Sequence, residues 1–375
     1  MVSASSAVAE LERDKRVPIA RNVIEFLVAG GGTLALIPLA WWFRSVSGLD
    51  ESVYLVSMLA FYAAHVINDP HFGVTYLLFY KNVRERALGS TFSGFQRVRY
   101  LTAGFVVPVL MLGWIVWAMR GGSAERMGYL IQLMFFLVSW HYVKQGFGVL
   151  TVLSMRRGVR FSPTERRWIL AHCFSAWAHA WVSPAGPAYQ VEESGILYWT
   201  LEVPLLVERL TEAAFFGSGA VLLVVLVQKW RRERMLPPLA PLVGFFVTVW
   251  LWSVYSSFDP LIAYFIPALH SIQYLYFVWL LRRNQARAEA GEADFGRIPR
   301  QLLVLAASSL AIGWLLFRGG PEFFDAHFVT SGSGLPLGAT PYLAAIGTFV
   351  NIHHYFMDNV IWRRDNPESS YLMHP

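Results

Sequence analysis

The sequence predicts an all-α fold, a polytopic integral membrane helix bundle of about ten transmembrane helices with both termini in the cytoplasm. Three observations carry this. Apolar residues make up 55% of the 375-residue chain and charged residues only 15%, against about 25% charged in a soluble domain. The apolar residues gather into ten runs, each near the roughly 20 residues that a spanning helix needs. Lys and Arg collect on alternate connections between those runs. The 15 Trp, 16 Tyr and 27 Phe suit a protein whose flanks sit among lipid headgroups.

Taken in order, the first 18 residues are polar, and the basic stretch Arg13 to Arg16 stands apart from the apolar run that follows. Residues 1–20 are therefore expected to form a short cytoplasmic tail, not a signal peptide. Spans are expected over 22–43, 53–80, 100–119, 127–154, 166–186, 211–229, 238–257, 259–281, 301–317 and 341–362. They form one transmembrane domain, 21–362, followed by a short cytoplasmic tail, 363–375. In the first span, Gly30, Gly31 and Gly32 suit close helix packing. In the second, Pro70 predicts a kink or break. Segment 187–210 reads as a loop, 287–297 as a solvated loop, and the Gly-, Ser- and Pro-rich 318–340 as a flexible outer loop.

With the N-terminus inside and ten crossings, the inner segments hold 25 of the 31 Lys and Arg: four in the N-terminal tail, five in 81–99, five in 156–167, four in 229–234, five in 282–300, and Arg363 with Arg364. The outer segments hold five, namely Arg44, Arg120, Arg126, Arg209 and Arg318, and Lys144 alone lies inside a span. This asymmetry is the positive-inside pattern. It accounts for the net charge of +6 as juxtamembrane clusters facing an anionic leaflet, and it excludes a nucleic-acid partner. The chain is expected in the cell (inner) membrane. A single cysteine, Cys173, excludes an intrachain disulfide and a thiolate-built metal site. No Walker loop, dinucleotide fingerprint or nucleophile elbow is present.

Ionisable residues within spans are costly and point to function. Six of the ten histidines fall in even-numbered spans: His65 and His71 in the second, His141 in the fourth, His270 in the eighth, His353 and His354 in the tenth. Counted from the outer end, His65 is 12 residues in, His141 14, His270 11 and His353 12. At about 1.5 Å of rise per residue they lie within roughly 5 Å of one depth, where chance would scatter them over about 30 Å. Four imidazoles at one level can ring a single point. Helical neighbours support them: Asp69 four residues from His65, Asp358 four from His354, Lys144 and Gln145 beside His141, Gln273 and Tyr274 beside His270. Metal-bound imidazoles commonly lean on a carboxylate, so Asp69 and Asp358 are expected to orient the rings or bind as ligands. A His and carboxylate set suits Fe, Zn, Mn or Cu. The candidate ligands are His65, His71, His141, His270, His353, His354, Asp69 and Asp358. Tyr274 and Lys144 are the candidate catalytic groups. His172 and His179, on one face of the fifth span, are weaker candidates, and His327 and His374 read as solvated.

The segment from His270-Ser271 through Gln273 and Tyr274 to Trp279 resembles a signature of the Brp/Blh-type β-carotene dioxygenases. In the same order, Asp69-Pro70-His71-Phe72-Gly73 is similar to that family's early Pro-His-Gly motif, Trp140-His141 to its second His motif, and His353-His354 with Asp358 and Arg363 to its late His…Asp motif. The resemblance covers four short motifs. It departs from the family at Tyr274, which stands where a second His is expected, and at Thr75, which stands in place of an Asp. It implies one non-haem iron that uses O₂ to oxidise a polyene, with His71 among the ligands.

The reading is a metal-dependent membrane oxidoreductase. Non-haem iron is the expected cofactor, O₂ the co-substrate, and a hydrophobic polyene, isoprenoid or acyl chain from the bilayer the substrate. A separate reductase is a partner unless the reaction is a dioxygenation. Two alternatives stand beside it. One is a dimetal desaturase or hydroxylase. The other is a proton-coupled carrier working through its intramembrane His, Asp and Lys.

Overall fold

Alanine-, leucine- and aromatic-rich runs broken by few prolines make helices, and helices dominate the computed structural model. It describes residues 19–256, 260–290, 297–328 and 337–373. The helices are α1 (Ile19–Phe26), α2 (Gly32–Ser47), α3 (Leu49–Ala64), α4 (Asn68–Tyr80), α5 (Val83–Leu88), α6 (Gly94–Leu101), α7 (Val107–Arg120), α8 (Ala124–Arg156) and α9 (Pro163–Val182). A hairpin follows, β1 (Gln190–Glu193) and β2 (Ile196–Trp199), then α10 (Leu205–Glu233), α11 (Leu239–Phe246), α12 (Pro260–Ala290), α13 (Arg297–Trp314), α14 (Gly320–Phe328) and α15 (Pro341–Ile361). Wide five-residue-spaced turns, Leu27–Gly31, Thr102–Val106, Val247–Val254 and Leu315–Gly319, join or extend α1, α6, α11 and α13.

Helix starts are set by local chemistry. Ser93 and Ser123 cap α6 and α8 by accepting from Gln96 N and Arg126 N. Ser162 and Glu165 form a reciprocal capping box on α9, with Pro163 in the first turn. Gly48 ends α2 at φ 80°, a conformation that favours glycine. Among the described residues, five helical stretches are long and apolar enough to cross a membrane: Arg21–Ser47, Gly94–Arg120, Leu205–Glu233, Leu261–Glu289 and Arg300–Phe328.

Several expectations change in the structure. The break in the second run falls at residues 65–67, not at Pro70. Pro70 sits in the first turn of α4, where its missing N–H leaves no bond unmade. The 187–210 loop contains the hairpin, with Ser194 and Gly195 both at positive φ, 51° and 83°, the two-residue turn that matches strand twist. The hairpin packs on α8 through Tyr198, which lies over Gly128, and Gln132 bonds the backbone of Trp199 and Leu201. The start of the 318–340 segment is helical as α14, whose Asp325 accepts from Tyr342 N and Leu343 N; residues 329–336 lie outside the described residues. So do residues 1–18 and His374. The C-terminal segment is docked: Leu372 is buried, Arg156 donates to Leu372 O, and Asn284 donates to Tyr371 O.

Polar contacts tie the basic segments to one another at one edge of the bundle. Arg86 pairs with Glu368 (2.6 Å) and Arg99 with Asp365 (3.3 Å). Arg157 pairs with Glu25 (2.7 Å), which also accepts from Tyr276 OH. Fully buried Lys229 reaches Arg160 O and Glu233, each at 2.6 Å, and Arg232 reaches Glu165 at 2.7 Å.

Backbone-to-backbone contact fixes α4 against α13. A Cβ on Gly73 would lie 2.3 Å from Ser309 O, and one on Gly313 would lie 2.6 Å from Asp69 O. Each helix thus supplies a glycine where the other's main chain passes, the small-residue packing common between membrane helices. This contact sets the position of the first turns of α4.

Candidate metal centre

Four helices converge on a polar cluster in the bundle interior: α4 brings His71, α8 His141, α12 His270 and Tyr274, and α15 His354 and Asp358. All six residues are buried. The imidazoles form a closed ring, with centroid separations of 5.3 Å for His71 to His270, 4.9 Å for His270 to His141, 5.0 Å for His141 to His354 and 4.8 Å for His354 to His71. His141 Nε2 lies 3.2 Å from His270 Nε2. Asp358 Oδ2 lies 3.3 Å from His354 Nε2 and 3.7 Å from His141 Nε2. Two overlapping trios result, His71/His270/His354 and His141/His354/Asp358, each with ligand atoms within 4.8 Å of one another.

At His71 and Asp358 one polar atom is held by the surrounding protein and the other is left without a hydrogen bond. His71 Nδ1 bonds the carbonyl of Asn68 and lies 2.9 Å from Ser271 Oγ. With its proton donated there, the ring presents a lone pair at Nε2, and that atom has no protein partner. Asp358 Oδ1 accepts from Tyr274 OH (2.8 Å) and Trp362 Nε1 (3.2 Å). Its Oδ2 makes no hydrogen bond, and neither does either ring nitrogen of His354. Thr75 Oγ1 sits 2.7 Å from Tyr274 OH and donates to His71 O (2.8 Å), so it links the two sides of the ring. Buried polar atoms without partners are rare and need a reason. A carboxylate oxygen and several imidazole nitrogens aimed at one small volume leave a deficit of positive charge, which a cation would fill. The donor set fits a transition-metal ion, and the second trio is two histidines and a carboxylate, a set associated with non-haem ferrous sites.

The other sequence-derived candidates stand apart from this ring. His65 turns outward to Asp69 (3.0 Å) and Arg318 (3.3 Å), because the break at 65–67 separates it from the face that carries His71. Asp69 is thus the partner of His65. His353, turned about 100° round α15 from His354, bonds Tyr76 OH at 2.9 Å and lies 3.5 Å from Tyr80 OH. Lys144, one turn along from His141, extends away from the ring to stand 5.4 Å over the Phe147 ring. His172 is closed by Ser218 (3.0 Å) and Trp250 (3.0 Å), and His179 stacks on Phe215 (5.7 Å). His327 is exposed and bonds Phe323 O.

Four supporting residues were not singled out from the sequence as ring supports: Asn68, Ser271, Thr75 and Trp362. Spacing offered a partial signal, since Asn68 precedes His71 by three and Trp362 follows Asp358 by four. Aromatic rings wall the cluster, with Tyr355 4.8 Å from His141, Tyr142 4.8 Å from His270 and Phe72 4.8 Å from His354. Comparison of the chain with known protein families, with curated proteins and with solved structures finds no match.

Proposed function

We propose that this chain is an integral membrane metalloenzyme, a non-haem iron oxygenase that oxidises a hydrophobic polyene, isoprenoid or lipid chain drawn from the bilayer. The observation that carries the reading is the buried ring of His71, His141, His270, His354 and Asp358, with unpartnered atoms facing inward. The resemblance of the His71, His141, His270 and His354/Asp358 motifs to Brp/Blh-type dioxygenases points the same way. The chain is read as crossing the membrane about ten times with both ends cytoplasmic. Support comes from the contacts that join the Lys- and Arg-rich segments 81–99, 156–167 and 229–234 to one another and to residues near Glu25 and 368–372, all at one edge of the bundle.

The residues divide the work. Asn68 O fixes the proton of His71 on Nδ1 and so keeps Nε2 available. Tyr274 and Trp362 hold one oxygen of Asp358 and leave the other free. Phe72, Tyr142 and Tyr355 keep the ring dry. Iron, when bound, would supply the redox chemistry with O₂. Oxygen uptake tests the reading: iron-loaded protein in lipid nanodiscs is expected to consume O₂ only when a polyene, isoprenoid or unsaturated acyl chain is supplied. Loaded protein that consumes none with any of the three classes would overturn it.

Tyr274→Phe removes one of two donors to Asp358 Oδ1. Loss of such an outer partner lowers metal affinity by about 10- to 100-fold. Chelator competition should read that drop with the fold unchanged. Unchanged affinity would remove Tyr274 from the positioning role.

A further inference from the structure

The ends of α4, α12 and α13 enclose a groove of about 360 Å³ at the basic edge of the bundle. Each helix lends one face. Leu77 and Lys81 are four residues apart, Arg282, Gln285 and Glu289 follow helical spacing on α12, and Gln301, Leu305 and Ser308 do so on α13. From Gln301 to Ser308 the wall runs about 10 Å, at about 1.5 Å per residue. Its rim is polar, with Lys81, Glu289 and Gln301 exposed, while Leu77 and Leu305 line the inner part. Beside it, Leu303 and Val304 stand 70% and 58% exposed on α13, on a stretch apolar enough to face lipid.

Arg282 is the informative residue. It is half-buried, and its Nη1 donates to Gln285 Oε1 at 2.6 Å, while Gln285 Nε2 donates to Glu289 at 2.8 Å. Among the described residues Arg282 forms no ion pair, and Lys81 forms none either. Gln285 spans the gap between Arg282 and Glu289, so the guanidinium keeps donors available to the groove. Among the described residues that line the groove, two cations stand against one carboxylate, with Glu368 also near Arg282, over an apolar floor that continues onto lipid-facing helix. A headgroup phosphate at the rim, with acyl chains along α13, meets each of these features.

We infer that this groove is a binding site for an anionic phospholipid, its phosphate held by Arg282 and Lys81 and its chains laid against Leu77, Leu305 and the outer face of α13. The inference rests on the membrane embedding proposed above and not on the metal, so metal-free protein serves equally well. Failure of the embedding would show separately, as protein that stays monodisperse without detergent.

Native mass spectrometry of delipidated protein offered equal phosphatidylglycerol and phosphatidylcholine tests it. Wild type should retain phosphatidylglycerol selectively. Each of Arg282→Gln and Lys81→Gln should cut that preference about fivefold, the contribution of one cation near a membrane surface. Arg209→Gln, an exposed site on α10, should leave it intact. Size-exclusion profiles confirm that the variants fold. Equal retention of the two lipids, or Arg282→Gln and Lys81→Gln variants that bind like wild type, would overturn the assignment. So would full displacement of phosphatidylglycerol by excess inorganic phosphate, which would identify the ligand as a free anion.

Discussion

His354→Ala is expected to abolish metal binding, because His354 is the one residue shared by both trios. Without it neither the three-histidine set nor the His141/His354/Asp358 set remains. Neither ring nitrogen makes a hydrogen bond, and the nearest polar contact, Nε2 to Asp358 Oδ2 at 3.3 Å, lies within the ring, so the substitution breaks no hydrogen bond that holds the fold. Affinity should fall by more than the roughly 100-fold that loss of an outer partner produces. His71→Ala and His141→Ala each leave one trio intact. If two ions bind, each of these should retain about half the metal, whereas one ion bound by the whole ring should be weakened by either change. His327→Ala, at an exposed residue outside the ring, should keep the wild-type content. Metal retained by His354→Ala at the wild-type level would remove the site as drawn. Plasma mass spectrometry on protein purified without a polyhistidine tag reads all four variants.

Gly73→Ala should destabilise the protein by about 1–3 kcal/mol, the usual cost of forcing atoms into a packed interface. The new Cβ would meet Ser309 O at 2.3 Å, with Ser309 C and Cα at 3.0 Å. These are main-chain atoms that no rotamer change can move, so α4 and α13 must part. His71 lies two residues away on the same helix, and the displacement should also weaken metal binding. Gly113→Ala on α7 is the control, since its Cβ would meet nothing within 4 Å. A melting temperature for Gly73→Ala equal to that of wild type would show that the backbone contact is not tight in the folded protein.

Much of the site was readable from depth along the spans, and most of its errors have a common physical cause. Depth selects a level, not a face. His353 and His354 occupy the same level, yet successive helical residues point about 100° apart, and only His354 turns to the ring. Lys144 fails for another reason: three residues from His141 it shares that face, but its long, flexible side chain runs to Phe147. His65 and His71 could not be separated without the position of the break, which local propensity placed at Pro70 and tertiary packing placed at 65–67. Asp358 was accessible because four-residue spacing puts it on the face of His354. Ser271 reaches His71 from another helix, a contact that no spacing rule reveals.

The helices showed a related effect. All ten expected ranges carry helix, yet of the four helices that build the ring only α12 is among the stretches both long and apolar enough to span; α4, at 13 residues, is too short. In α8 and α15 the residues that lower the apolar character include the site itself: His141, His354 and Asp358. The hairpin escaped notice because strands of four residues each, Gln190–Glu193 and Ile196–Trp199, are too short for a clear alternating pattern.

The central claim is that the buried ring holds a transition metal, and elemental analysis of the detergent-purified, untagged wild-type protein grown with ample iron tests it most directly. About one or two equivalents of iron per chain are expected, in line with one ion at the ring or one at each trio. A chain that carries no stoichiometric transition metal, even after anaerobic reconstitution, would contradict it. The ring would then be a set of proton- or substrate-binding groups, as in a membrane carrier.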